Sequence, residues 1–582
     1  ADLAHALPPD RQGLAARGIG WLAKMGLVVL ASDEAPAAEI PVAVGQLPEE
    51  RLATPGPEGE TQRLVAEAHA AERRGDVNAA AALLRDILAG APDHAEANLR
   101  LGEILAGAGD VDGALDHFRR AVVAAPAAVA TYCALGRGLM LKGDADEAVA
   151  AFRRAVEIAP QAYEPLFLLG TALRRAGGVF EAVQTLRAGA AVFPDRSDIH
   201  YQFGLALKAQ GRRAEALDAF HKGLALAPND IFLRAAADSL KTDMAGPGDG
   251  AGHAPRTRHG GRVALFFSRP QHYPVLRPLF ERLAERHWPL ISGDWREIAD
   301  FAPDMVVACE PFPRDIRRLV PGAAAIFMQT SFLSASAQGR AAAGADIVVA
   351  IGPEDRERFA QAGLPDERIW TVGAPSLDPL ARAAGPRPTF LGQGSARTIL
   401  FAPTFHPALS AAPMLGARAV ELLRGGRRDV KIVIKPHPVT CLHQPHWLSW
   451  WRSATADETV RLVDDPAADI VPLLVAADVL VTDCSNVMFQ FLLADRPMVL
   501  MDNPDRFGAR EVFDPTAPEW TFRSIGERVE RADDLTGAVF RALAAPEAAK
   551  PARAECRRRL YGEFADDRAL ERLLERIGHA LG

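Results

Sequence analysis

The sequence predicts a multidomain chain: an all-α repeat solenoid followed by an α/β region built from two doubly wound parallel sheets. Three observations predict it. Glycine, alanine and proline recur on a 34-residue period between Thr61 and Asp230. From Arg262 onward, short apolar runs alternate with helix-like segments, the rhythm of parallel strands joined by right-handed crossovers. Two of those runs end in polar clusters, Lys435-Pro436-His437-Pro438 and Asp483-Cys484-Ser485-Asn486.

Size and composition bound the reading. A chain of 582 residues holds about three to five domain-sized units. Its apolar share of 49% and charged share of 24% are those of an ordinary globular protein. A net charge of −8 offers no general basic surface, so nucleic acid is not an expected partner. The five cysteines are widely spaced, with no Cys-x-x-Cys pair to suggest a disulfide framework or a zinc site, and this points to a reducing cytoplasm. The run Trp21 to Leu30 is too short to span a membrane and carries Lys24.

In order along the chain, residues 1–60 read as an N-terminal helix, Arg11 to Leu30, and a Pro/Ala/Gly/Glu-rich linker. Repeats follow. Gly75, Gly109, Gly143, Gly177 and Gly211 are each 34 residues apart, as are Pro92, Pro126, Pro160, Pro194 and Pro228, and Ala80, Ala114, Ala148, Ala182 and Ala216. Gly102, Gly136, Gly170 and Gly204 keep the same period, and Phe118, Phe152 and Phe220 occupy the large position of the second helix, with Leu84 and Leu186 in the other two repeats. This pattern resembles the tetratricopeptide repeat, a helix, a glycine turn, a second helix and a proline stop. Small residues let the paired helices approach, and the large residue fills the gap. Five repeats are expected, with Ile231 to Met244 as the capping helix covering the array through Leu233 and Leu240, so that the array spans 61–244. Residues 245–261, around GPGDGAGHAPRTRHGG, read as a flexible linker.

Residues 262–390 predict a first Rossmann-like domain, with strands at Arg262 to Phe267, Met305 to Ala308, Ala324 to Met328 and Ile347 to Ala350. Residues 391–582 predict a second, with apolar runs ILFAP, VKIVI, RLVDD, DVLVTD and MVLMD, closed by terminal helices Asp533 to Ala544 and Ala569 to Leu581. Parallel sheets bind ligands at the carboxyl ends of their strands. His437 and Lys435 follow one strand of the second domain, and Ser485 and Asn486 stand where a helix begins after another. A histidine after a strand, or a serine at a helix start, is commonplace alone. Together, in this order, they read as a phosphate site, with free backbone N–H groups and a helix dipole on one side and side-chain donors on the other.

Four segments also resemble the CDP-glycerol glycerophosphotransferases of the teichoic-acid polymerase type, over residues 324 to about 578: GAPSLDPL (Gly373 to Leu380), ILFAPTFHP (Ile399 to Pro407), KPHP (Lys435 to Pro438) and DIVPLLVAADVLVTDCSNVMFQFLLADRP (Asp469 to Pro497). The resemblance implies the two-domain GT-B fold. It also implies that His437, with Ser485 and Asn486, holds the pyrophosphate of a cytidine nucleotide, while Asp483 orders the turn. Lys435, Asp483 and Thr404 complete the expected donor-binding set. The family has a Trp-His-Gly motif whose His serves as catalytic base. The corresponding stretch here is Met328-Gln329-Thr330-Ser331-Phe332-Leu333, with Phe332 in place of that His, and a phenyl ring takes no proton. His272 and His406 are the candidate substitutes, beside His437 as the third expected catalytic histidine. The His-Pro and Ser logic also occurs in sialyltransferase-like enzymes using CMP-activated sugars, so a cytidine-nucleotide donor is a firmer expectation than glycerol phosphate.

The expectation is a transferase using a CDP- or CMP-linked donor. It needs no bound cofactor, and the α/β half has no Asp-x-Asp metal signature, so metal-independent chemistry is expected. The array is expected to recruit a protein acceptor, for example a surface protein or flagellin glycosylated in the cytoplasm. Alternatively the acceptor is a cell-surface polysaccharide or teichoic-like polymer, which would bring peripheral membrane contact. A third alternative is a repeat scaffold with a degenerate transferase domain.

Overall fold

A computed structural model describes residues 57–73, 76–245, 260–313, 316–330, 342, 344–382, 388 and 396–582. The expected helix and linker of residues 1–56, Gly75, most of the linker (246–259) and Phe332 lie outside the described residues. The chain divides into two compact units, residues 1–228 and 229–582.

Among the described residues the first unit contains helices and no strand. Five helix pairs run from Pro57–Arg73 and Val77–Gly90 to Ser197–Ala209 and Arg213–Leu226. The 34-residue glycines explain the pairing. A Cβ on Gly136 would lie 2.4 Å from the Phe152 ring, one on Gly204 2.4 Å from Phe220, and one on Gly170 2.4 Å from Leu186. Glycine is therefore required at these crossings, whereas the first repeat has Ala68 at the same position, buried in one cluster with Leu84. The alanines of the other period, Ala80, Ala114, Ala148, Ala182 and Ala216, are fully buried. Gly109, Gly143, Gly177 and Gly211 take positive φ, from 81° to 99°, at the turns between paired helices.

The second unit contains two six-stranded parallel sheets. The first comprises β1 (Arg262–Phe266), β2 (Trp288–Ser292), β3 (Met305–Ala308), β4 (Ala324–Met328), β5 (Ile347–Ala350) and β6 (Ile369–Thr371), in the order β2-β1-β3-β4-β5-β6. The second comprises β7 (Arg397–Phe401), β8 (Val430–Ile434), β9 (Val460–Leu462), β10 (Val479–Thr482), β11 (Met498–Met501) and β12 (Glu527–Val529), in the order β12-β11-β10-β7-β8-β9. Each sheet is buried on both faces, which is why its inner strands read as unbroken apolar runs. In the second sheet, Ile399, Phe401, Ile432, Ile434, Val479 and Val481 pack on one face against Trp447 and Trp451. Leu400, Val433, Leu480 and Leu500 pack on the other against Phe489, Phe491 and Tyr561.

The helix expected to cap the array falls in the second unit. Ile231–Ala245 packs on the edge strand β2: Ser239 Oγ donates to Ile291 O (3.0 Å) and accepts from Ile291 N (3.2 Å), Tyr273 Oη donates to Asp238 (2.6 Å), and the Phe232 and Phe267 rings lie tilted at 5.2 Å. The unit boundary falls at Pro228 rather than after Met244. An amphipathic helix suits a repeat end and a sheet edge equally, so its buried Leu233 and Leu240 could not distinguish the two.

The terminal helix Ala569–Leu581 returns to the first half of the unit. The Asp378 carboxylate, in GAPSLDPL, accepts the first N–H groups of that helix, Ala569 N (3.1 Å) and Leu570 N (2.9 Å). Burial pushes this carboxyl up to about 6, although those N–H groups favour its ionised form.

Candidate functional site

In each sheet the strand order reverses between two neighbours, β1 and β3 in the first, β7 and β10 in the second. Such a switch point opens a crevice outside the carboxyl ends of the strands. The candidate residues gather at these two places.

In the second sheet, Phe401 is in register with both Ile434 and Val481, so the loops after β7, β8 and β10 leave at the same level. Pairing continues past the strand ends: Lys435 N donates to Phe401 O (2.9 Å), His437 N to Pro403 O (3.2 Å) and Ala402 N to Val481 O (2.9 Å). Thr404, His437 and Ser485 thus belong to three adjacent loops on the central strands. Asp483 fastens two of them. Its fully buried carboxylate accepts Thr404 N at 3.0 Å, Ala411 N at 2.9 Å and Ser485 N at 3.2 Å, while Arg523 donates to its backbone carbonyl at 2.7 Å. Burial pushes the Asp483 carboxyl up to about 6 against the pull of those N–H groups. Asp483 therefore orders the turn, the role that the resemblance implied for it. Arg523 also pairs with buried Asp502, so the network extends to the loop after β11.

His437 is half-buried at the mouth of β8. Its Nδ1 accepts from Val439 N at 3.3 Å, and its ring stands 4.9 Å from that of Phe405. With Nδ1 as acceptor, a neutral ring carries its proton on Nε2 and presents an N–H. Burial, with Lys435, Arg269 and His443 nearby, lowers its pKa to about 4, so it is neutral at physiological pH. Arg269 comes from the loop after β1, in the first sheet.

Three expectations need adjustment. Lys435 is buried, and its ammonium donates to the carbonyls of Pro436 and Asp465 (3.3 Å each), which ties the β8 loop to the segment after β9. Those contacts anchor the loop, and burial brings the ammonium down to about 8. Thr404 offers its backbone N–H to Asp483, not to the crevice. The helix after Asn486, Val487–Phe491, is only five residues long, so its dipole is small. What the turn supplies is individual groups: the Ser485 hydroxyl, 3.5 Å from Val487 N, and the Asn486 N–H, which has no preceding turn to bond.

At the first switch point, Phe266 is in register with Ala308, so Ser268 and Glu310, each two residues further on, emerge side by side. Ser268 donates both its N–H and its hydroxyl to Glu310. His272, at the start of the helix His272–Leu283, is buried, with Nδ1 3.5 Å from Glu310 Oε1. Burial alone would raise the Glu310 carboxyl, but His272 and Ser268 hold it below the usual carboxylate range. Sequence reasoning found His272 and missed Glu310. The signal was the equal offset of Ser268 and Glu310 beyond neighbouring strands. His406, the other candidate, has its Nδ1 buried without a hydrogen-bond partner.

Among the described residues, no cluster of three or more His, Cys, Asp or Glu side chains could hold a metal ion. The five cysteines form no disulfide. No helix among the described residues is long and apolar enough to cross a membrane.

Residues 329–579 match the family model described as CDP-Glycerol:Poly(glycerophosphate) glycerophosphotransferase, a transferase family. Residues 65–129 and 139–210 match two tetratricopeptide-repeat models. No curated protein sequence matches the chain. Solved structures similar to it include MamA (21% identity over 30% of this chain and 94% of that one, TM-score 0.28). A thermophilic repeat protein of Thermus thermophilus is another (22%, 31% and 98%, TM-score 0.26). A third is YrrB, a repeat protein described as having an unusual peptide-binding site (21%, 31% and 100%, TM-score 0.29).

Proposed function

We propose, from a chain that joins a tetratricopeptide-repeat array to a domain of the CDP-glycerol glycerophosphotransferase type, that the α/β unit moves a group from a cytidine-nucleotide-activated donor to a hydroxyl acceptor and that the array recruits the acceptor. The observation that carries this reading is that a neutral His437, after β8, and the Ser485–Asn486 turn, after β10, leave the sheet at the same level on either side of β7. Nε2–H of His437 and the donors of that turn would hold a phosphate whose negative charge grows as the donor bond breaks. Donors aimed at developing charge contribute about 2.7–4 kcal/mol each to the transition state. The resemblance to the family favours CDP-glycerol as donor and a poly(glycerol phosphate)-like acceptor, without a cofactor or a dedicated metal.

The repeats favour a protein acceptor as a second reading, since tetratricopeptide repeats mediate protein–protein interaction. A linked array would raise the local concentration of acceptor beside the site. The base is His272 or His406, and the GT-B geometry, the protein acceptor and the cytoplasmic location belong to this proposal.

Thermal stability of the full chain with CDP, CMP, UDP or GDP tests the donor class. A ligand bound only by the folded state stabilises it by RT ln(1 + [L]/Kd). Cytidine nucleotides should raise Tm, and uridine and guanosine nucleotides should raise it less. Equal shifts with all four, or none with CDP, would refute a cytidine site. Deletion of residues 61–228 should preserve the CDP shift and abolish modification of the acceptor. Undiminished modification would show that the array does not select it.

A further inference from the structure

The first switch point carries a group that the donor site does not use. Glu310 is a nearly buried carboxylate at the end of β3, fed by two donors of Ser268 and facing the His272 ring. A loop buttress needs only the Ser268 contacts. It does not need an imidazole brought to the same carboxylate at the bottom of a crevice.

We propose that Glu310 is the positioning residue of the transfer reaction, orienting His272 as the general base for the acceptor hydroxyl. The inference rests on the nucleotide-transferase reading above. Three observations support it. Nδ1 of His272 is buried without a formed hydrogen bond, and Glu310 Oε1 lies 3.5 Å from it. The 3.5 Å separation is an ion-pair distance rather than a formed hydrogen bond, and catalytic hydrogen bonds of this length commonly tighten when substrate arrives. A carboxylate at Nδ1 selects the Nδ1–H tautomer and leaves Nε2 as the basic nitrogen.

The backbone around His272 is also pinned. His272 N donates to Arg269 O (3.0 Å), Tyr273 N to Pro270 O (3.3 Å), and Tyr273 Oη to Asp238 on the helix Ile231–Ala245. A base must be held to a fraction of an ångström, and this one is held from its main chain and its neighbour, with Glu310 facing its ring. Finally, Arg269 of the same loop is among the charges acting on His437, so the loop faces the donor site across the unit. His406 has no such partner for its Nδ1, so nothing fixes its tautomer.

The step balances as follows for a CDP-linked glycerol phosphate. His272 Nε2 takes the hydroxyl proton. The freed oxygen pair forms a bond to the β-phosphorus. The bond from that phosphorus to the bridging oxygen breaks, and its electrons leave with CMP. The imidazolium, facing Glu310, then returns its proton to solvent.

Glu310→Gln in the full chain tests the proposal with two readouts. The rate of CMP release from CDP-glycerol in the presence of acceptor should fall about 100-fold, with donor KM and CDP affinity unchanged. Glu310→Asp should recover part of the loss. Ser268→Ala, which removes one of the two Ser268 contacts to Glu310, should lose far less. In ¹⁵N-histidine-labelled protein, the His272 ring, assigned by its disappearance in His272→Gln, should show the Nδ1–H tautomer in wild type, lose that preference in Glu310→Gln and keep part of it in Glu310→Asp. Unchanged turnover in a folded Glu310 variant, an unmoved tautomer, or an equal loss in Ser268→Ala would overturn the proposal. Failure of the wild-type chain to bind CDP would instead remove the nucleotide reading and the base role with it.

Discussion

The two sheets of the α/β unit follow one plan and carry different chemistry at the same place. Each has six parallel strands with one reversal, and each gathers polar groups just beyond it. In the second sheet the polar loops are fixed by a carboxylate turned inward. Asp483 commits its lone pairs to backbone N–H groups and leaves His437 and the Ser485 turn as a neutral, donor-rich surface. In the first sheet the carboxylate faces a side chain instead: Glu310 accepts from Ser268 and lies 3.5 Å from His272 Nδ1. The two places thus differ in the direction of a single carboxylate, which in the proposed reaction separates an anion site from a base.

The sheets also differ at their edges, and the largest expected effect lies there. The helix Ile231–Ala245 covers β2 with fully or nearly buried Ile231, Phe232, Leu233 and Leu240. Each such side chain contributes about 1.5–3 kcal/mol of burial. A fragment 229–582 should fold, whereas 255–582, which lacks this helix, should lose cooperative unfolding or aggregate. Calorimetry of the two fragments decides it. Equal Tm values would mean that the helix is not part of the unit.

The inward carboxylate comes next. Asp483→Ala leaves three backbone N–H groups without their acceptor, at a cost of about 3–5 kcal/mol. Urea denaturation should show that loss together with loss of CDP binding. A stable variant that still binds CDP would break the contrast between the two carboxylates. In the array, Gly136→Val places a side chain where a Cβ already meets the Phe152 ring at 2.4 Å, and should cost about 1–3 kcal/mol without changing CDP affinity.

The smallest effect is in pH. The pKa of His437 is depressed from its ordinary 6.5 to about 4 in the folded state. The stability this group contributes is therefore fully present above pH 6.5 and is lost as pH falls toward 4. Wild type should lose Tm faster than His437→Gln across that window. Parallel curves would mean that the ring is not held neutral.

The interior strands of both sheets were legible, and of the four edge strands only β9, in the run RLVDD, was. The runs at β3, β4, β5 and β8 match the observed strands, because a strand buried on both faces is an unbroken apolar run. β2, β6 and β12 escaped notice, and all three are edge strands. β2 contains Pro289, tolerated at an edge, and β6 and β12 are three residues long, too short for a pattern. The repeats were fully legible because their period is set by a contact, glycine against a large side chain, that recurs along the array. In the second sheet, the placement of His437 and Ser485 beyond β8 and β10, on either side of β7, followed from the strand ends. The turn-ordering role of Asp483 came from the resemblance, and the anchoring of Lys435 was not legible because it depends on side-chain direction. Glu310 was hidden for a different reason. It lies 42 positions from Ser268, and only strand order brings the two together.

At the heart of the proposed reaction, His437 donates to the phosphate of a cytidine-activated donor as the bond breaks. The decisive experiment is CMP release from CDP-glycerol by His437→Ala, measured with Tm and CDP affinity on one preparation. A contact that strengthens in the transition state acts on kcat more than on KM. The rate should fall about 100-fold or more, CDP affinity should fall by less, and Tm should barely move. A folded His437→Ala protein that releases CMP at the wild-type rate would rule out that role.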